Sequence, residues 1–122
     1  MKGLLVTLFL LAAMTGPVVA ESIEGTWDFT YQTPDGVRRA TCDIELDGDK
    51  LTIVQPELGK LIGTYQGQKF SVVFKNYYSL ELGFTADVKL EGSLSEGKIS
   101  GKWVFDTYSG TFTGQRSELQ DQ

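Results

Sequence analysis

After residue 20 the chain alternates apolar and polar side chains with a period of two, and no long stretch follows helical spacing. That pattern predicts strands joined by turns. The first strand is expected near Thr26 to Tyr31, with Trp27, Phe29 and Tyr31 on one face and Thr26, Asp28 and Thr30 on the other. A second follows the Pro34-Asp35-Gly36 turn and sets Ala40, Cys42, Ile44 and Leu46 against Arg39, Thr41, Asp43 and Glu45. A third begins at Leu51, and a fourth near Lys60 after the interruption Gln55-Pro56-Glu57. The fifth carries Phe70, Val72 and Phe74 on one face. The sixth is expected to run from Leu82 through Phe84, Ala86 and Val88 to Leu90; the seventh holds Ile99, Trp103 and Phe105, and the eighth ends in Gly110 to Arg116.

Three connections share one form, a glycine turn closing onto lysine and an apolar residue, at Gly48, Gly67 and Gly97. Each reads as a tight hairpin. With Asp47-Gly48 at the centre of the first, Ile44 faces Leu51, Cys42 faces Ile53, and Glu45 faces Lys50. With Glu96-Gly97 at the centre of the last, Leu94 faces Ile99, Leu90 faces Trp103, Val88 faces Phe105, and Glu91 faces Lys102. Apolar residues meet apolar ones and opposite charges meet, as cross-strand stabilisation requires. Eight such strands predict an all-β fold, an eight-stranded antiparallel up-and-down β-barrel that leaves no exposed edge. A β-sandwich is the alternative. A membrane barrel is disfavoured, because its outer face must be apolar where this one presents Asp43, Glu45, Asp87, Lys89 and Glu91.

The segment before the strands changes where the domain is expected to work. Residues 1–20 pair a single charge, Lys2, with the apolar run Leu4 to Ala13 and the small-residue exit Val18-Val19-Ala20. This is the form of a signal peptide cleaved after Ala20. The apolar run is too short for a membrane span, and Glu21 stands where a lipoprotein would need cysteine. The expected organisation is a leader over 1–20, a barrel over 21–116 and a frayed tail over 117–122, exported to a periplasmic or extracellular location. Loss of the leader removes Lys2 and takes the net charge from −5 to −6. That acidity, with only Arg38 and Arg39 adjacent among the basic residues, argues against a nucleic-acid partner.

The missing residue types narrow the chemistry. With no histidine, a Ser-His-Asp triad, a Cys-His pair and every His-ligated zinc or copper site are excluded. Cys42 is the single cysteine, so no intramolecular disulfide forms, and on the apolar side of its strand it reads as a buried hydrophobe. Asp43, Glu45, Asp47 and Asp49 recur at every second position, yet lack EF-hand spacing and read as a solvated face. Carboxylate pairs such as Asp87 with Glu91 point outward and have no cleft in which to hydrolyse a glycoside. No enzyme, metal or cofactor is expected.

Gly25-Thr26-Trp27 on the first strand, with Arg116 on the last, resembles the signature of the calycin barrels, the lipocalins and avidins among them. The resemblance implies that Trp27 packs at the barrel base against the Arg116 side chain and closes the barrel, with cation–π character.

Turns on an up-and-down barrel alternate between its ends, so the three glycine hairpins share one end. The other end receives Thr33 to Gly36, Gln55 to Gly59, Lys75 to Ser79 and Asp106 to Gly110. The expected function is non-enzymatic binding of a small apolar ligand at that long-loop end, lined by Tyr77, Tyr78 and Tyr108 with Tyr31 near the mouth. Adjacent Tyr77 and Tyr78 cannot both face inward, so one is exposed. The alternative is a protein-interaction or structural module, self-association included, using an outer apolar patch of Val54, Ile62 and Val73.

Overall fold

Alternation buries one face of every strand, and with no helix among the described residues that face is covered by other strands. A computed structural model, describing residues 22–117, shows how this is done. The proposed leader and residues 118–122 lie outside the described residues. The strands are β1 Gly25–Thr33, β2 Gly36–Asp47, β3 Lys50–Gln55, β4 Gly59–Gln66, β5 Lys69–Ser79, β6 Phe84–Ser95, β7 Lys98–Phe105 and β8 Tyr108–Arg116. Each pairs antiparallel with its neighbours in sequence, and β8 returns to β1 to close an up-and-down barrel. The barrel and not the sandwich is therefore the architecture.

The Glu96-Gly97 hairpin has the register expected, with Leu94 opposite Ile99 and Glu91 opposite Lys102. Both turn residues have positive φ, 50° and 79°, the pattern of a type I′ turn. The first hairpin differs. Its central pair is Gly48-Asp49, so Leu46 faces Leu51, Ile44 faces Ile53 and Asp47 faces Lys50. Only Gly48 has positive φ, 65°, as a type II′ turn requires at its first central position. The two registers differ by two residues, which preserves the faces; alternation does not distinguish them, and the turn decides.

The long-loop end differs from expectation in two places. Lys75 to Ser79 belongs to β5, and the connection to β6 is Leu80 to Gly83. Leu82, expected on the sixth strand, is an exposed loop residue. Asp106 and Thr107 form a two-residue turn, which leaves Tyr108 and Gly110 on β8.

The hairpin end is solid. Trp27, Ile44, Leu51, Phe70, Leu94 and Ile99 are buried there with Ile23, which precedes the first strand. Arg116 is the cross-strand neighbour of Trp27, and its guanidinium carbon lies 4.4 Å from the centroid of the Trp27 ring. The same guanidinium donates to the carbonyls of Ser22 and Glu24, while the Trp27 indole N–H donates to the Ile23 carbonyl at 2.9 Å. These bonds fold Ser22 to Glu24 across the base. Ser117, expected in the frayed tail, is buried and donates its backbone N–H to Thr26 at 3.0 Å, so the ordered chain passes beyond Arg116.

A candidate ligand cavity at the barrel mouth

The aromatic residues of β1 and β8 form a floor halfway up the barrel. Phe29 and Phe112 are buried with ring centroids 5.3 Å apart, and Tyr31 packs on both at 6.1 and 5.6 Å. Above them the interior is open, a cavity of about 490 Å³ reaching the long-loop end. Its inner wall is carried by Ala40 on β2, Tyr77 on β5, Val88 and Leu90 on β6, and Trp103 and Phe105 on β7. All five of its charged lining residues, Asp35, Arg38, Arg39, Glu57 and Glu81, are exposed and form the rim. Arg38 and Glu81 bridge β2 and the β5–β6 loop through an ion pair of 2.7 Å. Both ends of that pair are in water, so it contributes little to stability.

Three of the four tyrosines expected at the site are brought together. Tyr31, Tyr77 and Tyr108 line the cavity; Tyr78 does not and is 52% exposed. The cause is a β-bulge. Lys75 and Asn76 stand opposite the single residue Asp87, between the pairs Phe74–Val88 and Tyr77–Ala86. Asn76 takes φ 56°, and its backbone N–H donates to an Asp87 carboxylate oxygen at 3.0 Å. Strict alternation from inward Phe74 would have sent Tyr78 inside; the extra residue shifts the parity and sends Tyr77 instead. Tyr77 then packs edge-on against Phe74 and Phe105, at 6.1 and 5.9 Å.

Gln55, placed by the Gln55-Pro56-Glu57 interruption in a turn, belongs to the site. Gln55 ends β3 in phase with buried Leu51 and Ile53, and its Oε1 accepts the Tyr31 hydroxyl at 2.7 Å. The Cys42 thiol lies 3.7 Å from the same oxygen. The signal was the continued alternation Leu51, Ile53, Gln55, which Pro56 obscured. Burial pushes the Cys42 thiol up from 9.0 to about 12, with Asp43 and Asp28 adding to the effect, and burial also pushes the Tyr31 phenol up.

The thiol's behaviour gives a prediction. Its value in the fold lies above its value in the unfolded chain, so its stabilising contribution is complete below pH 9 and is lost as the pH rises toward about 12, because the unfolded thiol ionises first. Unfolding free energy should fall more steeply with pH in this window for the native protein than for Cys42→Ala. Equal slopes in denaturant melts would contradict the burial argument.

The outer residues Val54, Ile62 and Val73 lie side by side. Ile62 pairs directly with Val73, and Val54 sits diagonally from Ile62, whose direct partner on β3 is Thr52. Of the acidic stripe, Asp43 accepts the Thr26 hydroxyl and Asp49 the Gln66 amide, while Glu45 faces Thr52 rather than Lys50.

The closed barrel with Trp27 and Arg116 at its base is compatible with the calycin form. Comparison with family models and with curated proteins finds no match to this chain.

Proposed function

We propose that this is an exported, non-enzymatic binding protein that holds a small apolar molecule in the mouth cavity. The carrying observation is that the barrel is filled only to the level of Phe29 and Phe112, with about 490 Å³ above them walled by aromatic and aliphatic side chains. That volume falls within the ~300–1,000 Å³ usual for small-molecule sites. Every carboxylate facing the cavity is at the exposed rim. Export rests on the leader-like residues 1–20.

The test is titration with N-phenyl-1-naphthylamine, a neutral fluorescent probe. Saturable one-to-one binding is expected for the native protein. Ala40→Trp, which places an indole in the cavity, should lose it while keeping the native strand signal in circular dichroism. Absence of binding to the native protein, or unchanged binding by a folded Ala40→Trp variant, would refute the proposal.

A second reading is favoured by one observation, the contiguity of Val54, Ile62 and Val73, with Ile62 46% exposed. An apolar patch on a strand face suits self-association. Light scattering should then show a dimer that Ile62→Glu dissociates, whereas a monomer at all concentrations would dismiss self-association.

A further inference from the structure

The inner wall of the cavity uses most of its polar atoms on itself. The Trp103 indole N–H donates to the Gln32 carbonyl at 2.9 Å, and the Thr33 hydroxyl to the Gly36 carbonyl at 2.7 Å. The Ser79 hydroxyl oxygen accepts the Leu82 N–H at 3.1 Å. Gln55 is different. Its oxygen is held from two strands, by the Tyr31 hydroxyl on β1 and the Cys42 thiol on β2, both of which are protonated donors. The structure places the amide oxygen toward Tyr31 and Cys42. Its NH₂ group makes no hydrogen bond among the described residues, although Gln55 lines the cavity. Hydroxyls such as those of Tyr77 and Ser79 rotate to suit a ligand, whereas the amide, placed with its oxygen on Tyr31 and Cys42, has its NH₂ left to donate.

A donor in an otherwise apolar wall selects an acceptor, because a ligand without one leaves the N–H groups unpaired. The charge of that acceptor follows from the surroundings. All the cationic side chains facing the cavity, Arg38 and Arg39, are at the exposed rim, and none stands in the inner wall to balance an anion. The two titratable groups touching the Gln55 oxygen are both held in their neutral forms by burial. The cavity of about 490 Å³ has the size of a small-molecule site and opens at the long-loop end.

We infer that the cavity selects a small neutral apolar molecule bearing a carbonyl oxygen, which seats on the Gln55 amide NH₂ with its apolar body against Val88, Leu90, Trp103 and Phe105. The inference rests on the reading of the cavity as a ligand site and names the class of ligand that site takes.

Three probes of one shape test it: 2-acetylnaphthalene, 2-ethylnaphthalene and 2-naphthoate at neutral pH, each measured by displacement of N-phenyl-1-naphthylamine and by calorimetry. The native protein should bind the ketone about tenfold more tightly than the hydrocarbon, and the carboxylate most weakly. With its carboxyl ionised, at a pH above the range in which burial keeps it protonated, Gln55→Glu keeps the acceptor for Tyr31 and offers no donor, so it should bind the ketone no better than the hydrocarbon. Tyr77→Phe should keep the ketone preference. Equal native affinity for ketone and hydrocarbon, tightest binding of naphthoate, or a ketone preference that survives Gln55→Glu would overturn the assignment while leaving the cavity as a binding site. If the three fail while N-phenyl-1-naphthylamine binds, the assignment alone falls; if that probe does not bind either, both fall. Should Gln55→Glu not fold, the native ratio of ketone to hydrocarbon decides alone.

Discussion

Trp27→Ala should lower the melting temperature by at least about 12 °C. The side chain is fully buried, and removing a buried tryptophan costs about 3–5 kcal/mol through lost transfer energy and the cavity left behind. In a domain of ~100 residues each kcal/mol shifts the midpoint by about 4–8 °C. Trp27 also carries contacts that no other core residue replaces: its indole N–H holds the Ile23 carbonyl, and its ring lies under the Arg116 guanidinium. Without it, Ser22 to Glu24 lose one of the two side chains that fold them across the base. Arg116→Ala should cost less, several degrees, since it removes a cation–π contact of about 0.5–2 kcal/mol and leaves the core intact. Thermal unfolding of both variants checks the order. An Arg116→Ala melting point equal to the native one would show that the base is closed by the apolar core alone.

Gly110→Val is expected to give the second-largest effect and to reach the cavity. A β-carbon at this position would stand 2.3 Å from the Gln32 carbonyl oxygen and 2.7 Å from Trp103 Nε1, the two atoms joined by a hydrogen bond. Neither neighbour yields cheaply, since one is backbone on β1 and the other is the edge of an indole packed into the cavity wall. Overpacking of this kind costs about 1–3 kcal/mol, or a fall in melting temperature of about 4–24 °C. The displaced Trp103 should also shift the tryptophan emission to longer wavelength and weaken N-phenyl-1-naphthylamine binding. A variant with native stability and native emission would show that β8 moves away from β1 without strain.

Much of the barrel was legible because alternation is a local property. Which face is buried along every strand except the end of β5, the pairing of Leu90 with Trp103 and Val88 with Phe105, and the meeting of Trp27 with Arg116 all follow from period-two patterning and the motifs at the chain ends. Alternation is blind to anything that preserves or resets its phase. A two-residue change of register leaves every face in place, so the first hairpin was decided by the positive φ of Gly48. A bulge resets the phase, so the choice of Tyr77 over Tyr78 was decided by Lys75 and Asn76 opposite Asp87. Gln55 shows the other side of the same physics: its phase was readable from Leu51 and Ile53, but its partners were not. The sequence alone determined the strands, most of their buried faces and the lack of any histidine-based chemistry, because these depend on residue types and nearest neighbours along the chain; the choice of barrel over sandwich waited for the pairing of β8 with β1. Only the tertiary structure decided that the interior is filled at the base and open at the mouth, and that Gln55 meets Tyr31 and Cys42 there. Those outcomes depend on distances between strands far apart in sequence, which closure of the barrel sets.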